Sequence, residues 1–175
     1  MALRQVIQLG DPLLRQPCEP IKDPTSAQVA DLIQDLGDTL AHWKAQTGYG
    51  RGIAAPQIGV LQRAIFLNLD GQSPWPLINP RIVAHSQDTM EVWDGCLSFL
   101  SIFCKVIRHC QITVEYQHLD GRTDTRQASG DLSELLQHEI DHLDGVLTLD
   151  RITDIETICT RQEFEKRHRH TSPYA

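Results

Sequence analysis

Asp131-Leu132-Ser133-Glu134-Leu135-Leu136-Gln137-His138-Glu139-Ile140-Asp141-His142-Leu143-Asp144-Gly145 is the stretch on which the reading of this chain turns. Asp131 with Glu134 three positions on reads as a capping box, and Gly145 reads as a stop, so the spacing predicts a helix between them. Residues four apart share a helical face. His138 and His142 can therefore offer both imidazoles to one divalent metal, with Glu139 beside them as a general base. The alternative is that two histidines and their acidic neighbours decorate a solvated helix.

Two imidazoles do not complete a catalytic site, which needs a third protein ligand and an open position. One protease pattern continues with Gly at the third place after the second His and a further His three on; Gly145 is present, but Thr148 stands where that His is required. Another takes a glutamate from a later helix, and Glu163 or Glu165 is on offer, with no independent reason for that helix to turn back to the metal. The remaining candidate is Cys96, in Trp93-Asp94-Gly95-Cys96-Leu97-Ser98, since a thiolate with two imidazoles suits zinc or iron(II). A free cysteine is also commonly just a small buried hydrophobe, and Cys18, Cys104, Cys110 and Cys159 are read that way.

Upstream, Val29, Leu32, Ile33, Leu36, Leu40 and Trp43 recur at steps of three and four, which predicts a helix over 26–43. It runs into Thr47-Gly48-Tyr49-Gly50-Arg51-Gly52, where three glycines in five residues permit unusual backbone conformations and close approach. Short β-rich runs follow over 64–69, 76–84, 105–119 and 122–127, with Asp120-Gly121 as a hairpin turn. Thr153 and Glu156 repeat the capping signal and predict a third helix over about 153–168. The sum is one α+β domain over 1–175.

The 175 residues are 41% hydrophobic and 22% charged, ordinary globular usage that excludes disorder and fibrous repeats. Sixteen Lys and Arg against 23 Asp and Glu leave a net charge of −7, which argues against general nucleic-acid binding. No run approaches the ~20 apolar residues of a membrane span, and the first residues lack the apolar core of a signal peptide. Five scattered cysteines are unlike a disulfide framework, so a reducing, cytoplasmic location is expected. His42, His85, His109, His118, His168 and His170 have no ligand-like spacing and are read as structural or surface residues.

Three motifs in one order resemble those of peptide deformylases. Gly50-Arg51-Gly52-Ile53-Ala54-Ala55-Pro56-Gln57 fits GxGxAAxQ, Gly95-Cys96-Leu97-Ser98 fits EGCLS after its first residue, and Gln137 to Gly145 fits QHExDHLxG. With Gly10-Asp11-Pro12-Leu13-Leu14-Arg15 the likeness runs from about residue 4 to about residue 152. The resemblance implies antiparallel sheets packed around a central helix that carries the two histidines. It implies one metal held by Cys96, His138 and His142, with Fe²⁺ first and Zn²⁺, Ni²⁺ or Co²⁺ as alternatives, and Glu139 managing protons. Gln57 and the Leu97 backbone N–H would be the oxyanion donors, and Gly50, Gly52 and Ile53 would let an extended substrate pair as an added strand. Without its motif, Gln57 would read as a loop glutamine bonded to its own backbone. The implied activity removes the formyl group from the N-terminus of a peptide or nascent chain.

The chain departs from the family at Asp94, where Glu is usual, at Leu100, where proline is common, and at Phe103, where some bacterial members have Arg. Glu134 stands where the family is typically apolar and lines the pocket for the first side chain, so it either faces the site or only caps its helix. The basic run Arg161 to His170 either offsets the negative end of a helix or contacts the ribosome, as in some bacterial deformylases. Rival functions are an amidohydrolase of another N-formylated compound, or a metal- or peptide-binding module without turnover. Glu139 and Gln57 argue against the module, since neither is needed merely to hold a metal.

Overall fold

The structure, a computed structural model, describes residues 3–171; the ends of the expected 1–175 span, residues 1–2 and 172–175, lie outside the described residues. The expected first helix forms as α1 (Ala27–Thr47), one turn longer than its apolar stripe because Gly48 takes a left-handed φ of 74° and closes the helix onto the Lys44 carbonyl. Val29, Leu32, Ile33, Leu36 and Leu40 are buried and pack with Ile53, Ala64 and Ile78.

The strands are β1 (Gly52–Ala54), β2 (Ala64–Leu67), β3 (Trp75–His85), β4 (Thr89–Gly95), β5 (Ile102–His109), β6 (Gln111–Gln117), β7 (Thr123–Ser129) and β8 (Cys159–Thr160). They form two antiparallel sheets, β1-β2-β3-β6-β7 and β4-β5-β8. The β-rich run over 105–119 is not one strand. It breaks at Cys110, so that β5 pairs with β4 in one sheet and β6 with β3 in the other. The ribbon from β3 to β6 thus turns a corner, with Cys110 N–H donating to the Asp88 carbonyl and Ser86 N–H to that of Gln111.

Helix α2 (Asp131–Leu143) lies between the sheets, against β1, β2, β3 and β7 on one side and β5 on the other. Leu135, Leu136, Ile140 and Leu143 join the larger sheet's core with Ile65, Leu77 and Val114. Every residue from Ser133 to Leu143 is buried, and this overturns the solvated-helix alternative for the histidines. Polar groups in such a helix must find partners inside.

The third helix is shorter than expected. Only α3 (Arg161–Arg167) is helical, while residues 153–160 make a turn (Ile155–Thr157) and β8, whose Thr160 pairs with Ile102 of β5. That pairing demands extended backbone. The cap is accordingly Thr160, whose Oγ1 accepts from Glu163 N–H at 3.4 Å, and not Thr153. From α3, Phe164 stacks on Phe103 at 4.1 Å and meets Trp93 edge-on at 5.6 Å. Phe164→Ala should therefore lower stability by about 3–5 kcal/mol, read as a shift in urea midpoint.

Candidate metal centre

Elements from four parts of the chain converge at α2. The helix supplies His138, Glu139 and His142, with relative exposures of 6%, 3% and 1%. Strand β4 ends at Gly95 and delivers Cys96 into the first position of a tight turn (Leu97–Phe99), where its Sγ accepts from Ser98 N–H at 3.4 Å. Sγ lies 3.1 Å from His142 Nε2, and one ligating atom from each of Cys96, His138 and His142 falls within 4.8 Å of the other two. Two nitrogens and a sulfur at these separations, all buried, suit one divalent ion. Burial holds His142 well below the usual imidazole range, which favours the neutral ring that coordinates metals.

The other face of His138 is tied down. Its Nδ1 lies 2.8 Å from Asp94 Oδ1 and 3.1 Å from Thr148 Oγ1. Thr148, the residue that cannot serve as third ligand, thus helps to orient the first. Burial pulls the His138 ring down, but the Asp94 charge and hydrogen bond more than offset it and hold the ring well above its usual range. Asp94 is wholly buried; burial raises its carboxyl, and the His138 and Arg108 charges bring it well below the usual carboxylate range. Arg108 also donates from Nη1 to Asp141 Oδ2 at 2.5 Å, and Arg151 from Nη2 to Asp141 Oδ1 at 2.7 Å. This line of alternating charges, Asp94, Arg108, Asp141, Arg151, was not legible in advance beyond the two acids inside the motifs. Arg108 reaches it because Cys104, Val106 and Arg108 alternate onto the buried face of β5, an inference that period-two patterning licenses once the strand is known.

Gln57 sits in the turn Ala55–Ile58. Its Oε1 accepts from Ala54 N–H at 2.9 Å, which turns Nε2 towards Cys96 Sγ at 3.4 Å and Ser98 Oγ at 3.3 Å. The backbone bond of a loop glutamine and an amide aimed at the centre are therefore the same arrangement. Leu97 opens its turn, so its N–H is among the first-turn amides that no turn carbonyl accepts.

Glu139 is wholly enclosed, and its Oε2 has no hydrogen-bond partner among the described residues. Burial, only partly countered by the His138 charge, pushes its carboxyl up to about 7. Gly52 does not need its glycine for an unusual φ, as Gly50 does at 126°. A Cβ on Gly52 would stand 2.5 Å from Glu139 Oε1 and 2.7 Å from Leu67 Cδ2. Gly52→Ala is thus expected to displace the Glu139 carboxylate and cost about 10²-fold in turnover, the scale of a misplaced catalytic group, while metal content stays unchanged.

A small cleft of about 30 Å³ opens beside these groups, lined among others by Gly50, Arg51, Gly52, Leu100 and Phe103. Two expected substrate contacts differ. The Ile53 side chain is fully buried in the α1 core and leaves only backbone to the β1 edge. Glu134 is not a capping residue: the cap position is Gly130, and Glu134, with 0% exposure, accepts from Arg51 Nη2 at 2.6 Å. The remaining histidines stand apart, with His85 stacked on His109 at 3.9 Å and His168 on Trp93 at 4.4 Å. All five cysteines are free; Cys18 and Cys104 are buried as expected, and Cys110 and Cys159 are only half-buried. Burial pushes the Cys18 thiol to about 11 and that of Cys104 to about 12, which makes both poor nucleophiles.

Comparison with known proteins gives one answer. The polypeptide deformylase family model matches residues 3–157. A peptide deformylase of Thermomicrobium roseum is 40% identical over 166 residues, 90% of this chain and 90% of that protein. Peptide deformylase 2 of Clostridium perfringens is 36% identical over 156 residues, 89% of this chain and 96% of the relative. The crystal structure of peptide deformylase from Thermotoga maritima superposes with a TM-score of 0.81 at 33% identity, covering 88% of this chain and all of that one. Sequence and α+β architecture agree, and the chain belongs to the polypeptide deformylase family.

Proposed function

We propose that this chain hydrolyses the formamide bond of N-formylated peptides, releasing formate and a free amine. The observation that carries the reading is the burial of Cys96, His138 and His142 as one donor set, with Glu139 and the Gln57 amide against it, in a chain of this family. Deformylases are metal-dependent. Cys96 Sγ and the two imidazoles would hold one ion here, Fe²⁺ in the first instance, with Zn²⁺, Ni²⁺ or Co²⁺ as substitutes. When bound, such an ion supplies Lewis acidity and lowers the pKa of water.

The chain's own residues do the rest. The Gln57 amide and the Leu97 N–H donate to the oxygen that gains charge as water adds to the formyl carbon. Glu139 takes the proton released by that water and passes it to the nitrogen as the C–N bond breaks. Asp94 and Thr148 keep the His138 ring in one orientation. Strand β1 is the edge of its sheet, paired only with β2, so an extended peptide can add alongside it.

A cytoplasmic site of action goes with this reading, since all five thiols are free. Ribosome contact through the basic segment is its secondary part: Arg161 and Arg169 lie over the Tyr49 ring, which lines the cleft. Formate release from formyl-Met peptides by the Fe²⁺-loaded protein, compared with other formylated amines, tests the function. No release from any peptide would refute it.

A further inference from the structure

Three consecutive residues, Ile7, Gln8 and Leu9, fasten the two turns that carry the oxyanion donors. Ile7 N–H donates to the Gln57 carbonyl at 2.8 Å, and Leu9 N–H donates to the Ser98 carbonyl at 2.8 Å. Between them, Gln8 Nε2 donates to the Leu97 carbonyl at 3.3 Å and to the Val6 carbonyl at 3.1 Å. Both partners are acceptors, so this nitrogen serves purely as a donor. Within the turn Leu97–Phe99, Phe99 N–H donates to the Cys96 carbonyl at 3.1 Å and Ser98 N–H to Cys96 Sγ at 3.4 Å. Those two bonds leave the Leu97 and Ser98 carbonyls to segment 7–9. Val6 anchors that segment in the α1 core, while Gln8 itself is exposed.

Resting on the proposed function, we propose that Gln8 is a positioning residue for deformylation. Through the Leu97 carbonyl it holds the turn so that the Leu97 N–H and the Gln57 amide meet the same oxygen as charge develops on it. A turn of three residues has few torsions, so a rotation of the Leu97 carbonyl carries the peptide before it, and with it the Leu97 N–H. An oxyanion donor works by standing in place before the charge forms, within about 0.5 Å of its productive position. The peptide backbone is expected to pair with β1 and not with this turn, so the benefit falls on the transition state and therefore on kcat.

The test compares Gln8→Leu and Gln8→Glu, which remove the donor, with Gln8→Lys, which keeps one of similar reach. Because Gln8 is exposed, none of the three opens a cavity. In metal-loaded protein acting on a formyl-Met tripeptide, the Leu and Glu variants should lose about three- to tenfold in kcat, the scale of one hydrogen bond, with KM, metal content and thermal midpoint unchanged. The Lys variant should retain parental kcat. Amide hydrogen exchange gives a readout apart from turnover: Phe99 N–H should exchange faster in the Leu variant than in the parent, and amides of α1 should not. Parental kcat in both the Leu and Glu variants overturns the proposal. So do equal losses in all three, a loss confined to KM, a fall in metal content, or unchanged exchange at Phe99. Absence of turnover by the unaltered protein on every formyl peptide would instead remove the proposed function, and this inference with it.

Discussion

Glu139→Gln is expected to keep its metal and to lose on the order of 10²- to 10⁴-fold in kcat, the range that a positioned acid–base contributes. The change is nearly isosteric, so the carboxamide can sit where Glu139 packs over Gly52, and the donor set of Cys96, His138 and His142 is untouched. What disappears is the proton carrier. Glu139 suits that role because it is enclosed, its carboxyl is raised towards neutrality, and its Oε2 has no hydrogen-bond partner among the described residues to compete for a proton. KM should change far less than kcat, because no contact to the peptide backbone is removed. Near-parental kcat in a variant of normal metal content would place the base elsewhere.

Cys96→Ala should have the other large effect, and on a different observable. The loss removes the only sulfur donor and leaves two imidazoles, fewer than a stable catalytic site uses. Affinity should fall by more than the ~10- to 100-fold that follows when a residue merely supporting a ligand is removed, and the metal-to-protein ratio after gel filtration should drop sharply. The substitution also takes away the acceptor for Gln57 Nε2 and Ser98 N–H, so the turn Leu97–Phe99 loosens with it. Elemental analysis of the purified variant checks this. An unchanged ratio would show that the ion is held by another set, of which Asp94, Glu134 and His138 is the one at hand.

The two predictions are separable. One variant should be metal-replete and inert, the other metal-poor. A protein in which both lose metal would mean that Glu139 helps to hold the ion.

Much of the centre was legible in the chain itself, because it depends on local periodicity. Two histidines four apart in a helix must share a face, and a Gly-rich loop and a Gly-Cys-Leu-Ser turn carry their geometry with them. Cys96 emerged by the failure of nearer alternatives, and α1 by its stripe. What the chain could not disclose is what depends on residues far apart in it meeting across a packed interior. Whether Glu134 capped its helix or faced inward turned on Arg51, 83 positions away, arriving to neutralise it; propensity allows both, and only burial with a paired cation decides. The same holds for Arg108, whose side in β5 is set by the pairing of β5 with β4 and its packing on α2. The break at Cys110 and the shortened α3 are likewise choices of sheet pairing, which overrides local preference because each strand's backbone groups need a neighbour that the sequence alone does not name.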